Sequence, residues 1–490
     1  MSKPSIALSL KGIKQRGQAL VYVIAMAGIL GLTIAYIFNV GQITNEKTKL
    51  QNTTDAAAYS IVMVQSRDMN FKAYTNRAMV ANHVAVAQAV ALTSWTRWLE
   101  VFATNFQRIT SSIPILNFIT AGFSSASKGI AKVTEASMSV MVSAIDLILD
   151  TLETSQMAFH TATMIVAKQT FDEVVKANDP DVNAGLVATA NNIKDFVSSH
   201  ATFTTRWDPS VVRNKASSGS NKWKNNKYKM DEFRDITLQS RDGFTKGRNK
   251  TVLKFGGKAL RFEVKALKEG KTQLTAGLNR SSYAPYYNWS AEDTFSFHLR
   301  KYKFSGWKMK WKSWKEIAPV GWGGAQSYKS FDDRVNWRFE FKSKNPNALK
   351  AAEYQFGYEK SIGTYSGLRK YYSVSQKGLI KGSGGITVLL EKPQSSGKGG
   401  IRTSQSIGLT RTGSPLDIES KGGFINNTLA AMAKAETYFV RPTDDKGNNT
   451  RTDKKREYGS AFNPYWQPRL IDIPASEEIT MKVALGIPTS

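Results

Sequence analysis

One continuous stretch, ALVYVIAMAGILGLTIAYIFNVGQITNEKTKLQNTTDAAAYS (residues 19–60), joins an apolar run to a polar, alanine-rich segment. Ala19–Val40 contains 22 residues and no formal charge. A helix of that length spans about 33 Å, enough to cross the hydrocarbon core of a bilayer. A buried core helix and a cleaved signal peptide are the alternatives, but a signal peptide has a shorter apolar core and a small-x-small cleavage site, which GQITNEKTK lacks. We therefore predict a transmembrane helix over residues 19–40.

Charges on the two sides of this run predict its orientation. Four basic residues and no acid precede it, whereas Glu46 accompanies the two lysines that follow it. The preceding basic residues are Lys3, Lys11, Lys14 and Arg16. The positive-inside rule then places residues 1–18 in the cytoplasm and the bulk of the chain outside it.

The segment after the membrane run predicts a long helix. Neither Gly nor Pro occurs from Gln42 to Ile113, and every seventh residue from Leu50 to Phe106 is apolar. Such a stripe is typical of a helix packed lengthwise against others. The positions three residues further on are less apolar in the first half, so we expect looser packing there.

Two further helices are predicted to complete an antiparallel bundle. The stretch IPILNFITAGFSS contains Pro114 and Gly122 and is predicted to be a turn. A returning helix is expected from Lys128 to Ala177, before Asp179-Pro180, and a shorter one over about Val182–His200.

Beyond residue 200 the sequence becomes rich in Gly, Lys and aromatic residues. The segment GWKMKWKSWK, residues 306–315, alternates with the period of a strand, and RVNWRFEFKSK and ITVLLEK also resemble strands. The predicted fold class is α+β: a single N-terminal transmembrane helix continues into a long helical stalk or bundle, followed by a β-rich C-terminal domain. The predicted division is 1–18 cytoplasmic, 19–40 transmembrane, 41–200 helical stalk and 201–490 basic β-rich domain.

The positive charge of the chain lies almost entirely in this second part. The net charge is +28, and residues 1–200 contain 16 Lys/Arg against 13 Asp/Glu, whereas residues 201–490 contain 51 against 26. An anionic partner is therefore plausible: lipid headgroups, acidic polysaccharide, DNA or an acidic protein. The candidate contact residues are Lys222, Lys224, Lys227, Lys229, Lys308, Lys310 and Lys312.

The tryptophans that alternate with Lys308, Lys310 and Lys312 allow two interpretations. They could form stacking platforms beside a charged groove, as in single-stranded nucleic-acid binders. Alternatively, the tryptophans fill the core and the lysines are simply solvated, which is the interpretation we favour.

No catalytic or metal motif is recognisable in the sequence. There is no cysteine, and none of the patterns GxxxxGK[ST], HExxH, GxSxG or GxGxxG occurs. The four histidines, His83, His160, His200 and His298, are scattered singly, and the Asp- and Asn-rich residues 442–453 lack calcium-loop spacing. We therefore expect a non-enzymatic protein with no cofactor and no metal.

Residues 16–60 carry a family resemblance as well. The sequence has an Arg-Gly start at Arg16 and Gly17, an apolar helix, a charged exit and a Leu-Gln-Asn step at residues 50–52 into Asp-Ala-Ala-Ala at residues 55–58. This pattern resembles the N-terminal module of Tad/Flp pilus-assembly proteins of the TadE/TadG type.

The resemblance implies a single-pass component of a bacterial inner membrane that contacts other pilus-assembly or pilin-like subunits. This chain departs from processed pilins, which have Glu five residues after the glycine, because Tyr22 stands five residues after Gly17. It also has no DxSxS metal motif. We therefore expect an uncleaved, metal-free, minor pilin-like or assembly subunit. Alanines at the membrane exit would let a partner helix approach closely. The predicted docking residues are Leu50, Asp55, Ala57, Ala58 and Val64.

The alternative function is that of a membrane-anchored adhesin or receptor. Its basic head would bind DNA or acidic polysaccharide. Binding of that kind would weaken steeply with salt. For either function, the bulk of the chain is expected to be periplasmic or to lie in a surface filament.

Overall fold

The first helix, α1 (Gln18–Thr110), contains 93 residues and is the axis of the molecule. The computed structural model describes residues 18–182, 186–207, 233–275, 288–329, 341–357, 360–374, 385–393, 401, 424–425, 428–441 and 459–484. At 1.5 Å per residue, α1 is about 140 Å long. Its apolar N-terminal part has no buried residue in the 18-residue window that could cross a membrane. The predicted apolar helix and its unbroken continuation are both present, and the length and composition of the apolar part fit a single-pass membrane anchor.

The second helix, α2 (Pro114–Asn178), returns antiparallel to α1 after a turn of only three residues. The prediction of a long turn up to residue 127 is wrong, because Pro114 occupies the first helical turn, where its missing N–H costs nothing. The predicted end at Asp179-Pro180 is confirmed. A third helix, α3 (Leu186–Phe203), follows close to the predicted range.

Antiparallel strands make up most of the described chain after residue 203. A five-stranded sheet has the order β2-β3-β4-β5, with β6 paired to the first part of β4. Its strands are β2 (Lys250–Gly257), β3 (Phe262–Thr275), β4 (Asn288–Ser305), β5 (Lys308–Trp311) and β6 (Lys315–Ser327).

A second sheet has the order β11-β10-β8, with β9 also paired to β10, and a small sheet joins two short strands. The second sheet contains β8 (Ile386–Pro393), β9 (Phe424–Ile425), β10 (Thr428–Phe439) and β11 (Trp466–Ile471). The small sheet pairs β1 (Thr204–Trp207) with β7 (Tyr371–Val374). Among the described residues, the other helices are a segment over 233–239, α4 (Gly243–Lys246), α5 (Pro346–Phe356) and α6 (Ala475–Ala484).

The strand predictions have mixed outcomes. ITVLLEK forms most of β8. Of GWKMKWKSWK, Lys308–Trp311 forms β5 and Lys315 begins β6, whereas the other residues are not in a strand. Of RVNWRFEFKSK, residues 334–340 lie outside the described residues and residues 341–344 are not in a strand. The predicted mixture of a long apolar helix, a second helix and a β-rich C-terminal region is confirmed.

The β-sheets pack directly on α1, so helices and strands share their hydrophobic cores. Nearest the membrane segment, Leu50, Ala57 and Ala58 pack with Ile386 and Val388 of β8. Further along α1, the residues Met79 to Val90 pack with α2, β3, β4 and β6. Residue 200 therefore separates helical from β-rich sequence, but it does not separate two independent cores.

Close approach between β6 and α1 depends on glycine. A Cβ atom on Gly323 would lie 2.3 Å from the Ser94 carbonyl oxygen and 2.3 Å from the Trp98 amide nitrogen. Both are backbone atoms, so a larger residue would have to push the strand off the helix. The glycines of GWGG, residues 321–324, thus allow the five-stranded sheet to pack directly against α1.

The predicted loose packing of the first half of the stalk is wrong. Leu50 and Ala57 are fully buried, and Val64 is 8% exposed, whereas Phe106 at the other end of the seven-residue stripe is 40% exposed. A straight α-helix turns about 20° per heptad relative to a seven-residue repeat. Over eight heptads the stripe therefore rotates away from the packed face, because α1 lies against sheets and α2 and does not form a coiled coil.

Candidate functional site

The membrane segment of α1 offers an open helix surface. Its large apolar side chains from Leu20 to Phe38 are exposed, and Ala35 is half-buried. Ala27, Gly31 and Ala35 recur every fourth residue, which places them on one side of the helix. A Cβ atom on Gly31 would meet nothing within 4 Å. Small residues at this spacing permit close contact between membrane helices.

The membrane-exit stretch, residues 49–60, contacts this chain's own sheet instead. Leu50, Ala57 and Ala58 are fully buried and Val64 nearly so, all in the core with β8 and β10. Asp55 accepts a hydrogen bond of 2.9 Å from Gln51, whose amide also donates to the Met432 carbonyl. The four apolar side chains predicted to dock a partner helix are therefore covered within the chain. The small alanines allow a β-sheet of the same chain to pack closely against α1.

An ion-pair cluster joins α1, β8 and the residue that follows α2, just beyond the membrane segment. Lys392 Nζ of β8 lies 2.6 Å from a Glu46 oxygen of α1 and 2.8 Å from Asp179, which follows α2. Lys49 Nζ is 3.3 Å from the same Asp179 oxygen. Burial disfavours the charged forms, but these bonds outweigh it, so the pKa of Lys392 is raised and that of Asp179 is lowered. Three distant parts of the chain thus converge at the exit.

We predict that Ala57→Leu lowers the stability of the folded body. The added side chain would overpack a fully buried position, which costs about 1 to 3 kcal/mol. The free energy of unfolding of the full-length protein in detergent measures the effect. Ala81→Leu makes the same change at an exposed position of α1 and should be near neutral. Equal stability of the two variants would contradict the packing described here.

A buried polar cluster connects α1, α2 and α3 at mid-length. Asp68 Oδ2 lies 2.5 Å from Lys72 Nζ, 3.3 Å from His160 Nδ1 and 3.2 Å from His200 Nε2. Lys72 Nζ is also 2.7 Å from His160 Nδ1, and the two imidazole rings stack with centroids 4.3 Å apart. Two histidines that are scattered in the sequence therefore share one carboxylate.

The electrostatics of this cluster favour an ionised carboxylate. Burial opposes the charge of Asp68, but the imidazoles of His160 and His200 beside its carboxylate and the charge of Lys72 outweigh it and hold its pKa well below the usual range. Burial lowers the pKa of Lys72 and of His200, against the attraction of Asp68. The cluster is a buried ion-pair network in which Lys72 supplies the positive charge.

The same donor atoms have the types that a metal ion would need. The ligand atoms of Asp68, His160 and His200 all lie within 4.8 Å of one another. The Lys72 ammonium is bonded to two of these three groups, so a metal ion would have to displace it. The arrangement therefore fits a structural cation, the ammonium, better than a metal centre. The sequence signal for it is an acid and a lysine four residues apart on one helix, Asp68 and Lys72.

The other two histidines make separate contacts. His83 is fully buried on α1 and its Nδ1 lies 2.7 Å from the Tyr365 hydroxyl. Burial, reinforced by the charge of Arg369, lowers the pKa of His83 to about 3, so it is a neutral core histidine at physiological pH. His298 Nε2 is 2.7 Å from the side-chain oxygen of Asn345.

The predicted anion-binding lysines have different outcomes. Lys222, Lys224, Lys227 and Lys229 lie outside the described residues. Lys308, Lys310 and Lys312 are exposed, as the favoured interpretation required. That interpretation is wrong for the tryptophans, because Trp307 is fully exposed at the β4–β5 turn and Trp311 is only half-buried. A two-residue turn places Trp307 outside the sheet, where no core can cover it.

Comparison with known proteins supports the N-terminal module. No curated protein and no solved structure matches the chain significantly. A family model does match residues 17–60, which include the exposed membrane segment and the exit stretch. The chain thus carries the module of the Tad family, described as Flp pilus-assembly TadE/G-like, and this module indicates involvement in Flp/Tad pilus assembly.

Proposed function

We propose that this protein is a non-enzymatic, membrane-anchored subunit of a Flp/Tad pilus machine, either minor pilin-like or part of the assembly apparatus. One observation carries the proposal: a single unbroken helix leaves an exposed apolar segment and continues as the central element of the folded body. A force or displacement applied to the membrane helix would be transmitted directly to the body. The Tad match at the same residues supports the pilus context.

The orientation and compartment belong to the same proposal. The N-terminus would lie in the cytoplasm, the anchor in a bacterial inner membrane, and the body in the periplasm or in a surface filament. The charge difference across the apolar run supports this orientation. The chain would remain uncleaved, since Tyr22 stands where processed pilins have Glu.

Partner docking is best assigned to the membrane segment itself. The exit residues Leu50, Ala57 and Ala58 are covered by this chain's own sheet. Ala27, Gly31 and Ala35 instead form a strip of small residues on the apolar part of α1, where Ala27 and Gly31 are exposed and Ala35 is half-buried. Another single-pass subunit with a similar strip could pack there by close helix contact.

The test compares Ala35→Leu with Ala25→Leu, two identical changes on different sides of the same membrane helix. The tagged full-length protein is purified from its native membranes, and mass spectrometry identifies both the co-purifying proteins and its own N-terminus. We expect wild type and Ala25→Leu to recover other pilus-assembly subunits with an intact N-terminus. Ala35→Leu should reduce that recovery at least ten-fold at equal membrane levels.

Three outcomes would count against the proposal. If wild type recovers no pilus subunit, the assembly role is wrong. If both variants recover partners equally, docking does not use the small-residue strip. A processed N-terminus would show that the protein is matured like a pilin despite Tyr22.

A further inference from the structure

The five-stranded sheet ends in a surface whose composition differs from that of the rest of the molecule. This basic hairpin end comprises residues 250–265 and 299–315, which form two neighbouring β-hairpins. It contains twelve Lys/Arg and one acid, Glu263, which is bonded to Arg300. We infer that the basic hairpin end binds the surface of an anionic lipid bilayer, a function beyond the one proposed above and independent of it.

Exposed apolar side chains accompany this charge. Six large apolar residues of the two hairpins are each more than half exposed, and Trp307 is completely so. They are Val252, Leu253, Phe255, Leu260, Phe304 and Trp307. Aromatic and aliphatic groups beside lysines are the composition of surfaces that enter the headgroup region of a membrane. Aliphatic side chains offer no face on which nucleic-acid bases could stack, so lipid explains this set better than DNA does.

Lysines in this region also face each other across the strands. Lys303 is directly opposite Lys310, and Lys254 is directly opposite Lys265. Like charges in opposite positions destabilise an antiparallel pair. Anionic headgroups would remove that repulsion, and they would be held by the lysines through attraction that adds up over many residues.

A shallow cavity lies between the two hairpins. Its volume is about 730 Å³, and its lining combines cations with apolar groups, among them Arg261, Lys301, Lys303 and Phe304. An anionic headgroup could occupy the cationic side while its acyl chain followed the apolar one.

The basic hairpin end faces away from the anchor. As β4 advances from Asp293 to Phe295, its contacts on α1 advance from Ser94 to Phe102. Residues 299–305 continue in that direction, toward the C-terminal end of α1. Since Val40 and Phe102 are about 90 Å apart along the helix, an upright molecule would present these hairpins to a second bilayer.

Liposome flotation tests the inference with the intact protein. The full-length chain is first placed in nanodiscs of phosphatidylcholine, which occupy its own membrane segment. Separate liposomes of phosphatidylcholine, with or without phosphatidylglycerol, are then added. We expect the loaded nanodiscs to float with phosphatidylglycerol liposomes, and neither empty nanodiscs nor phosphatidylcholine liposomes to give flotation.

Two variants and one matched control distinguish the contribution of the lysine charges to liposome binding from that of the apolar side chains. Neutralising four lysines of the hairpin end to Gln should weaken liposome binding at least ten-fold, and Phe304→Ser with Trp307→Ser should do the same. The four hairpin lysines are Lys301, Lys303, Lys308 and Lys310. Neutralising four exposed lysines of α2 and α3 should leave binding unchanged. The four control lysines are Lys128, Lys132, Lys176 and Lys194.

Several results would overturn the inference. Equal flotation with both kinds of liposome, or none with either, would exclude anionic lipid as the ligand. Unchanged flotation of the Phe304→Ser, Trp307→Ser variant would show that the apolar groups do not enter the bilayer. Tight binding of single-stranded DNA that competes with liposomes and survives that variant would assign the surface to soluble polyanions.

Discussion

Asp68→Asn is expected to lower the free energy of unfolding by about 3 to 5 kcal/mol, because breaking one side of a buried ion pair leaves the other charge uncompensated. The group left without its partner is the Lys72 ammonium, which is only 1% exposed and bonds to Asp68 at 2.5 Å. The substitution also removes the carboxylate that His160 and His200 share. Denaturant unfolding of the full-length protein in detergent measures the change.

The chain contains a matched control for this prediction. Lys168 and Asp172 form the same four-residue pair on α2 at 2.6 Å, but both side chains are about half exposed. Asp172→Asn should therefore cost no more than about 1 kcal/mol. Adding Lys72→Met to Asp68→Asn should recover much of the lost stability, since no unpaired charge then remains. A similar small cost for Asp68→Asn and Asp172→Asn would show that Lys72 is not dependent on Asp68.

The second large effect concerns the pH dependence of stability, and its source is Glu292 on β4. Burial raises the pKa of Glu292 to about 7, while Lys271 opposes the rise and Asp293 and Glu269 add to it. Lys271 stands directly opposite on β3, but its Nζ is 3.7 Å away, and the second carboxyl oxygen of Glu292 is buried without a hydrogen bond. The folded protein therefore favours the protonated carboxyl.

Because this pKa is higher in the folded than in the unfolded chain, Glu292 contributes stability below about pH 4.5 that is lost as the pH rises through about 7. A shift of this size corresponds to about 3 kcal/mol. Glu292→Gln, which cannot ionise, should match wild type near pH 5 and exceed it by up to that amount at pH 8. Unfolding midpoints at pH 5, 6, 7 and 8 give the comparison. A constant difference between the two proteins at all four values would contradict this account.

Local sequence patterns were sufficient for the helical part of the molecule. The uncharged run at residues 19–40, the absence of Gly and Pro up to Ile113 and the stop at Asp179-Pro180 are read directly from neighbouring residues. Each depends on interactions within a few turns of one helix, where residues that are close in sequence are also close in space. The prediction at Pro114 was wrong because proline both breaks a helix and begins one, and only the observed turn shows which applies.

Roles of the candidate residues depended on contacts between distant parts of the chain. Alanines 57 and 58 looked like a docking strip for another subunit until β8, more than 300 residues later, covered them. Trp307 looked like a core residue until a two-residue turn placed it outside the sheet.

By itself, the sequence determined an apolar helix that fits a single-pass anchor, its unbroken continuation, a basic β-rich C-terminal part and the Tad module. Only the tertiary structure joined His160 and His200 to Asp68, which they follow by 92 and 132 residues, and wrapped two sheets around α1. The physical reason is that a side chain's surroundings in a core are set by whichever segments bury it. Burial acts through proximity in space, and one-dimensional spacing does not encode which strand returns to which face of a helix.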